Sequence, residues 1–252
     1  MSGNKNILLL SVGLNGFNLL YKRCIDSHYC YARKYSYRYV CIDRTNLPLT
    51  PKESSWIKIP LIYEFLNSGY DWVGFVDADC MINSSAPPFE SLDTPSKSIY
   101  MALGKSQRYN AGVFFVKNSQ ESKNFFKTVF DNCEFTIPEE DRLYTRYENG
   151  HVIYFSKKFP IIQTIDKKWN NNSDTSLQDF IRHYSGGIMR KTYKHTVTEF
   201  LGFYIFSTIG KFHRRLTRGS NESLKQSLTQ TVHSFIRTFI TDNLQHANQP
   251  VS

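Results

Sequence analysis

Tyr70-Asp71-Trp72-Val73-Gly74-Phe75-Val76-Asp77-Ala78-Asp79-Cys80-Met81-Ile82 decides more about the fold than any other stretch of the chain. Its apolar run is continuous rather than alternating, the pattern of a strand covered on both faces, and it stops at two carboxylates. In a strand, residues i and i+2 share a side, so Asp77 and Asp79 converge on one ligand while Ala78 faces away. Open α/β sheets bind ligands beyond the carboxyl ends of their strands, where this pair sits. Two like charges so close repel unless a cation lies with them, and all-oxygen donors suit Mg²⁺ or Mn²⁺. An ion held by few protein ligands keeps positions for phosphate oxygens. The competing reading is local: Asp77 and Asp79 only cap the turn that follows.

Val73-Gly74-Phe75-Val76-Asp77-Ala78-Asp79 resembles the GT-A glycosyltransferases, whose DxD motif follows a hydrophobic strand and grips a nucleotide-sugar diphosphate through a divalent metal. The resemblance implies an α/β chain with a GT-A, Rossmann-like mixed central sheet flanked by helices. It implies a catalytic domain over 1–193; the charge and apolar pattern beyond it read as a basic, amphipathic helical C-terminal extension over 194–252.

Upstream of the acidic pair, Ile7 to Val12 reads as a strand running into the turn Gly13-Leu14-Asn15-Gly16. A helix over Phe17 to Lys34 and a second strand from Arg38 to Asp43 follow. Strand, helix, strand is the start of a doubly wound sheet. The resemblance assigns the uridine end of a UDP-sugar to this region, with Gly13 and Asp43 as contacts; Gly13 and Gly16 also read as ordinary turn glycines. Pro48 and Pro51 mark a loop, and Ser54 or Ser55 opens a helix through Leu66 that tolerates Pro60 only if its first turn begins near Lys58. Trp56-Ile57-Lys58-Ile59-Pro60-Leu61 is similar to the helix before the DxD in galactosyl- and xylosyltransferase-type GT-A families. By that likeness Lys58 contacts the diphosphate; on its own terms it reads equally as a solvated surface lysine.

Downstream, Ile99 to Leu103 is a short strand, and Asn110-Ala111-Gly112 precedes the apolar run Val113 to Val116. In GT-A enzymes such an Asn-Ala-Gly lets the backbone approach the donor sugar while the amide bonds its hydroxyls. A glycine suits close approach, having no Cβ. Asn118 and Glu121 are expected to form a capping box for the helix bearing Phe125, Phe126, Val129 and Phe130. Pro138 to Leu143 starts another helix with acids in its first turn, which the helix dipole alone favours. The resemblance adds a role near the reacting carbon for Asp141, with Glu140 second. Phe159 to Ile165 reads as a late strand and Trp169 to Asp174 as a polar loop. His183, shortly before Gly186-Gly187 and the basic Arg190-Lys191, looks like the family's second metal motif, since a neutral imidazole is a sound Mn²⁺ ligand. There the His completes the coordination and the Lys binds phosphate, roles that fall to His183 and Lys191, with Arg190 the alternative. The glycogenin-like form has Pro-Trp after that lysine; this chain has Thr192-Tyr193.

At 252 residues the chain suffices for one sizeable domain, and 15% aromatic content suits a large core or aromatic-lined pockets. No repeat or low-complexity tract is visible. Five cysteines without Cys-x-x-Cys spacing signal neither a zinc site nor a disulfide framework, and buried thiols in a reducing cytosol are the expectation. The first apolar run is too short to span a membrane and lacks a small-residue cleavage site. The expected location is cytoplasmic, peripheral on the inner face of a membrane. The net charge is +9, and residues 189–252 hold nine Lys and Arg against three Asp and Glu, so most of the excess lies in the tail. There Phe200 to Ile209, followed by Lys211, Arg214, Arg215 and Arg218, suits a helix over 197–218 lying in an anionic membrane surface. The last helix, about Glu222 to Leu244, has an apolar stripe that packs on the domain, on a twin subunit or on that same surface. No motif supports nucleic-acid binding.

The reading as a whole is a metal-dependent hexosyltransferase using a UDP-sugar, a glycan or glycolipid acceptor, and retention of configuration. Two alternatives are a haloacid-dehalogenase-type phosphatase, which also places Asp-x-Asp after an apolar strand, and a non-catalytic sugar- or membrane-binding protein on the same fold. The first leaves Asn110-Ala111-Gly112 unexplained; the second leaves no use for an intact Asp77, Asp79 and His183.

Overall fold

The computed structural model describes residues 5–46, 48–217 and 222–247. Its strands are β1 (Ile7–Val12), β2 (Arg38–Ile42), β3 (Trp72–Val76), β4 (Cys80–Ile82), β5 (Ile99–Ala102), β6 (Val113–Lys117), β7 (Ile162–Ile165) and β8 (Ile181–His183). Six of them form one mixed sheet in the order β2-β1-β3-β6-β5-β7, and β4 and β8 form a separate pair. β1 runs parallel to β2 and β3, whereas β3 and β6 are antiparallel. The helices are α1 (Phe17–Leu20), α2 (Lys22–Lys34), α3 (Pro51–Trp56), α4 (Lys58–Asn67), α5 (Gln120–Asp131), α6 (Glu139–Arg142), α7 (Asn149–Ser156), α8 (Gly187–Thr192), α9 (Val197–Thr217) and α10 (Leu224–Ala247).

β3 is one of the two central strands, with β6, and its unbroken apolar run feeds both sides of the sheet. Val73 and Phe75 join a core made with α4, α5 and α10, while Trp72 and Val76 join one containing Tyr31 of α2, Phe89 and Trp169. All five β3 residues are buried, and each large side chain so placed contributes roughly 2 kcal/mol. Gly74 is small because a Cβ there would lie 2.8 Å from the Phe89 ring.

Local chemistry explains where the elements depart from expectation. The helix expected from Ser54 or Ser55 begins earlier: Thr50 and Glu53 form a capping box with Pro51 in the first turn, and the chain then bends at Ile57 into α4. That bend puts Pro60 in the first turn of α4, where no hydrogen bond is lost. The capping box of α5 is Ser119 with Ser122, not Asn118 with Glu121. Asn118 is occupied elsewhere, its Nδ2 donating to the carbonyls of Leu66 (2.8 Å) and Tyr70 (2.7 Å). The helix expected over Phe17 to Lys34 breaks at Tyr21 into α1 and α2.

The apolar stripe of α10 packs on the domain: Leu228 and Val232 are core residues, and the Phe239 ring lies 5.3 Å from that of Phe65. The side chains of Arg215 and Ile240, and Arg218 itself, lie outside the described residues.

Candidate metal and nucleotide site

Beyond the end of β3 the chain turns at Asp77-Ala78-Asp79 and re-enters as β4, whose partner is β8. The register sets Cys80 opposite His183. This pairing brings the imidazole to the acidic pair: His183 Nε2 is 3.3 Å from Asp79 Oδ1 and 4.0 Å from Asp77 Oδ2. His183 is almost fully buried. The backbone holds the turn as well, with the Cys80 N–H donating to Asp77 O at 3.0 Å and the Tyr184 N–H to Asp79 O at 2.9 Å.

Burial raises Asp77, to about 6, against the pull of the Lys58 ammonium. Burial acts the same way on Asp79, but His183, Arg190 and Lys58 outweigh it and hold that carboxyl below its usual range. Cys80 Sγ also lies within 4.8 Å of ligand atoms of Asp79 and His183. Burial pushes its thiol well above the ordinary range, which leaves the oxygens and the imidazole as the available donors. Two carboxylates and one imidazole nitrogen fit a hard divalent cation of the Mn²⁺ or Mg²⁺ kind.

Lys58 neither reaches into solvent nor stands free for a diphosphate. It is buried, and its three N–H donors are taken by Asp77 Oδ1 (2.8 Å), Glu148 Oε1 (3.1 Å) and Ala111 O (3.2 Å). Glu148, a residue to which the sequence assigned nothing, stands at the start of α7 and is itself buried. Its neighbour Asn149 accepts the Ala111 N–H at 2.6 Å and so braces the Asn110 segment. Arg108 braces the same segment from outside, donating to Glu140 O at 2.8 Å.

Asn110 lies beside His183. Its Oδ1 accepts from the Gly112 N–H (3.0 Å) and from Asn170 Nδ2 (3.0 Å), and its Nδ2 has no partner among the described residues. Gly112 has a steric reason of its own: a Cβ there would lie 2.3 Å from His183 Cε1, so the missing side chain makes room for the imidazole. A cavity of about 240 Å³ opens next to Asn170, lined also by Gly104, Gln107, Thr164 and Asn172.

The remaining expected residues are spread more widely. Gly13 and Asp43 flank the carboxyl ends of β1 and β2, with the Gly13 N–H donating to Ile42 O at 2.8 Å. A Cβ on Gly13 would lie 2.7 Å from that of Asn18. Gly16 is approached by α9, where Phe203 Cα and O would lie 3.2 Å from its Cβ. Of the two basic candidates after His183, Arg190 is the one at the cluster, 3.8 Å from Asp79; Lys191 is exposed on α8. Asp141 does not join the cluster: its buried carboxylate pairs with Lys157 at 2.6 Å, while Glu140 is exposed. Asp141 is an ion-paired acid at a helix start, whereas Glu148 is linked to the cluster through Lys58.

No protein-family model and no curated protein sequence matches the chain. Solved structures do. A glycosyltransferase involved in the glycosylation of the major capsid of PBCV-1 superimposes with a TM-score of 0.57 at 16% identity, over 72% of this chain and 96% of that one. The glycosyltransferase GlyE of Streptococcus pneumoniae TIGR4 does so with a TM-score of 0.51 at 12% identity, over 87% of this chain and 66% of that one. At these identities the likeness is one of fold. The chain has the GT-A fold, a mixed sheet with flanking helices and a helical C-terminus.

Proposed function

We propose that this chain is a metal-dependent glycosyltransferase that moves a hexose, galactose or glucose, from a UDP-sugar to a glycan or glycolipid acceptor with retention of configuration. The observation that carries the reading is the convergence of Asp77, Asp79 and His183 at the carboxyl end of β3, with His183 Nε2 3.3 Å from Asp79. The fold likeness to two glycosyltransferases supports it. A bound Mn²⁺ or Mg²⁺ would act as a Lewis acid towards the diphosphate, worth several kcal/mol as the leaving group gains charge. Asp77, Asp79 and His183 would hold that ion. Arg190, with Lys191 one residue on, supplies positive charge for the phosphates. Asn110 offers its free Nδ2 to a sugar hydroxyl, and the polar cavity beside Asn170 suits an acceptor sugar. The choice of uridine, of hexose and of retention follows from the resemblance of the motifs.

Calorimetric titration of UDP into the protein, with Mn²⁺ present and then chelated, tests the reading. Binding only with metal supports the donor site; no binding in either case favours the phosphatase or the non-catalytic alternative.

A membrane is the partner we assign to α9. This helix turns Gly202 against Leu19, Phe203 against Phe17 and Gly210 against Asn15, and most of its large residues outwards. Phe200, Leu201, Tyr204, Ile205, Ile209 and Phe212 are each more than half exposed, and Lys194 and Lys211 are exposed nearby. Among the described residues no helix is long and apolar enough to cross a membrane. An apolar outer face with flanking cations fits a helix lying in an anionic lipid surface.

A further inference from the structure

We propose that Asn170 sets the tautomer of His183, and so decides which ring nitrogen faces the two aspartates. The inference rests on the metal site proposed above, but the geometry that carries it does not depend on a metal.

The polarity of each hydrogen bond in the chain leading to His183 is forced by the one before it. The Gly112 N–H can only donate, and it lies 3.0 Å from Asn110 Oδ1, which fixes that atom as the carbonyl oxygen. Asn170 presents one amide atom to Asn110 Oδ1 at 3.0 Å and to Asn110 O at 3.2 Å. Both are acceptors, so this atom is the NH₂ group. The other end of the Asn170 amide is therefore the oxygen, and it lies 2.8 Å from His183 Nδ1. Nδ1 must carry the proton and donate. In the neutral ring Nε2 then holds the lone pair, and Nε2 is the atom facing Asp79 and Asp77. A lone pair aimed between two carboxylates leaves a space that a cation fits.

Burial keeps the arrangement from relaxing. Asn170 and His183 are 1% and 3% exposed, so a reversed amide would leave buried groups facing like partners. The backbone is fixed from the same loop, since the His183 N–H donates to Asn171 O and the Asn171 N–H to Ile181 O, both at 2.9 Å. Asn170 thus places the ring and Asn171 its strand. Asn170 is a positioning residue: it acts through His183, as the partners behind metal-bound histidines do when they fix tautomer and orientation.

The test is long-range ¹H–¹⁵N NMR of His183 in metal-free protein at alkaline pH, followed by calorimetric titration of Mn²⁺ alone, on the wild type and Asn170→Ala. The expected wild-type spectrum is that of the Nδ1–H tautomer. Asn170→Ala should shift the population towards Nε2–H and weaken Mn²⁺ about 10- to 100-fold, the usual cost of losing such a partner. An Nε2–H ring in the wild type overturns the proposal even if the variant does not fold. So does a folded Asn170→Ala protein with the wild-type tautomer and affinity. An Nδ1–H ring in a wild type that binds no Mn²⁺ upholds the role of Asn170 and removes the metal reading instead.

Discussion

Asp79 meets His183 across two short strands, Oδ1 to Nε2 at 3.3 Å, because β4 and β8 pair in the register that sets Cys80 opposite His183. Asp79→Asn halves the charge of the acidic pair while keeping its shape. It should weaken metal-dependent UDP binding by more than about 100-fold, beyond the 10- to 100-fold that loss of an indirect partner costs. The circular dichroism spectrum should not change. Calorimetry that finds wild-type UDP affinity in this variant would remove the metal role.

Lys58 is the only cation placed against both Asp77 and Glu148 among the described residues, at 2.8 and 3.1 Å. Lys58→Met leaves the buried Glu148 and the partly buried Asp77 without the cation they share, and breaking a buried pair from one side costs about 3–5 kcal/mol. Urea denaturation should read a loss of that size. Asp141→Asn, which breaks only the pair with Lys157, should leave UDP binding intact, whereas Glu148→Gln should impair it.

Gly112→Ala should weaken Mn²⁺-dependent UDP binding at least about tenfold, a loss comparable to displacing a ligand's support. The new methyl group would lie 2.3 Å from His183 Cε1 and push the ring off the carboxylates. Calorimetry with Mn²⁺ reads the affinity, and thermal melting shows whether the fold survives.

His28 gives a stability signature in pH. Its Nδ1 bonds Ser11 Oγ at 2.8 Å and its Nε2 lies 2.7 Å from Cys80 O, and burial lowers its pKa from 6.5 to about 4. The unfolded chain therefore takes up a proton near 6.5 while the folded one resists until about 4. This contribution is complete above the unfolded value and is lost as pH falls between the two, about 3 kcal/mol in all. Chemical denaturation of His28→Gln across that window should show a shallower decline than the wild type.

Co-sedimentation with vesicles tests α9. Replacing Tyr204 and Ile205 by Ser should reduce partitioning into anionic vesicles several-fold, and added salt should reduce it further for the wild type. If partitioning does not change and the substitutions instead dissociate a dimer, the outer face of α9 is a contact between copies.

Much of the site could be read because it lies on long, regular signals. The β3 run, the Asp pair, Asn110-Ala111-Gly112 and His183 each sit on or beside an apolar strand, and the sheet brings them together. Glu148 and Asn149 were invisible for a physical reason: Glu148 precedes α7 in helical geometry without a side-chain cap, so no boundary signal marks it. Asn170 lies in a polar loop, where an amide has no periodicity to betray it. Lys58 looked exposed because lysines usually are; only its pairing with Asp77 and the buried Glu148 accounts for its place. The reverse error befell Asp141, whose position in a first turn has an ordinary electrostatic cause.

The β4–β8 pair also sets the order in which the site comes into being. Its two strands come from distant parts of the chain, so the cluster is assembled by a contact that neither strand can make alone. During synthesis Asp77 and Asp79 emerge long before the imidazole that faces them, and until Ile181–His183 arrives β4 is an unpaired edge. The cluster of Asp77, Asp79 and His183 is thus completed late in synthesis, only when the last strand is laid down.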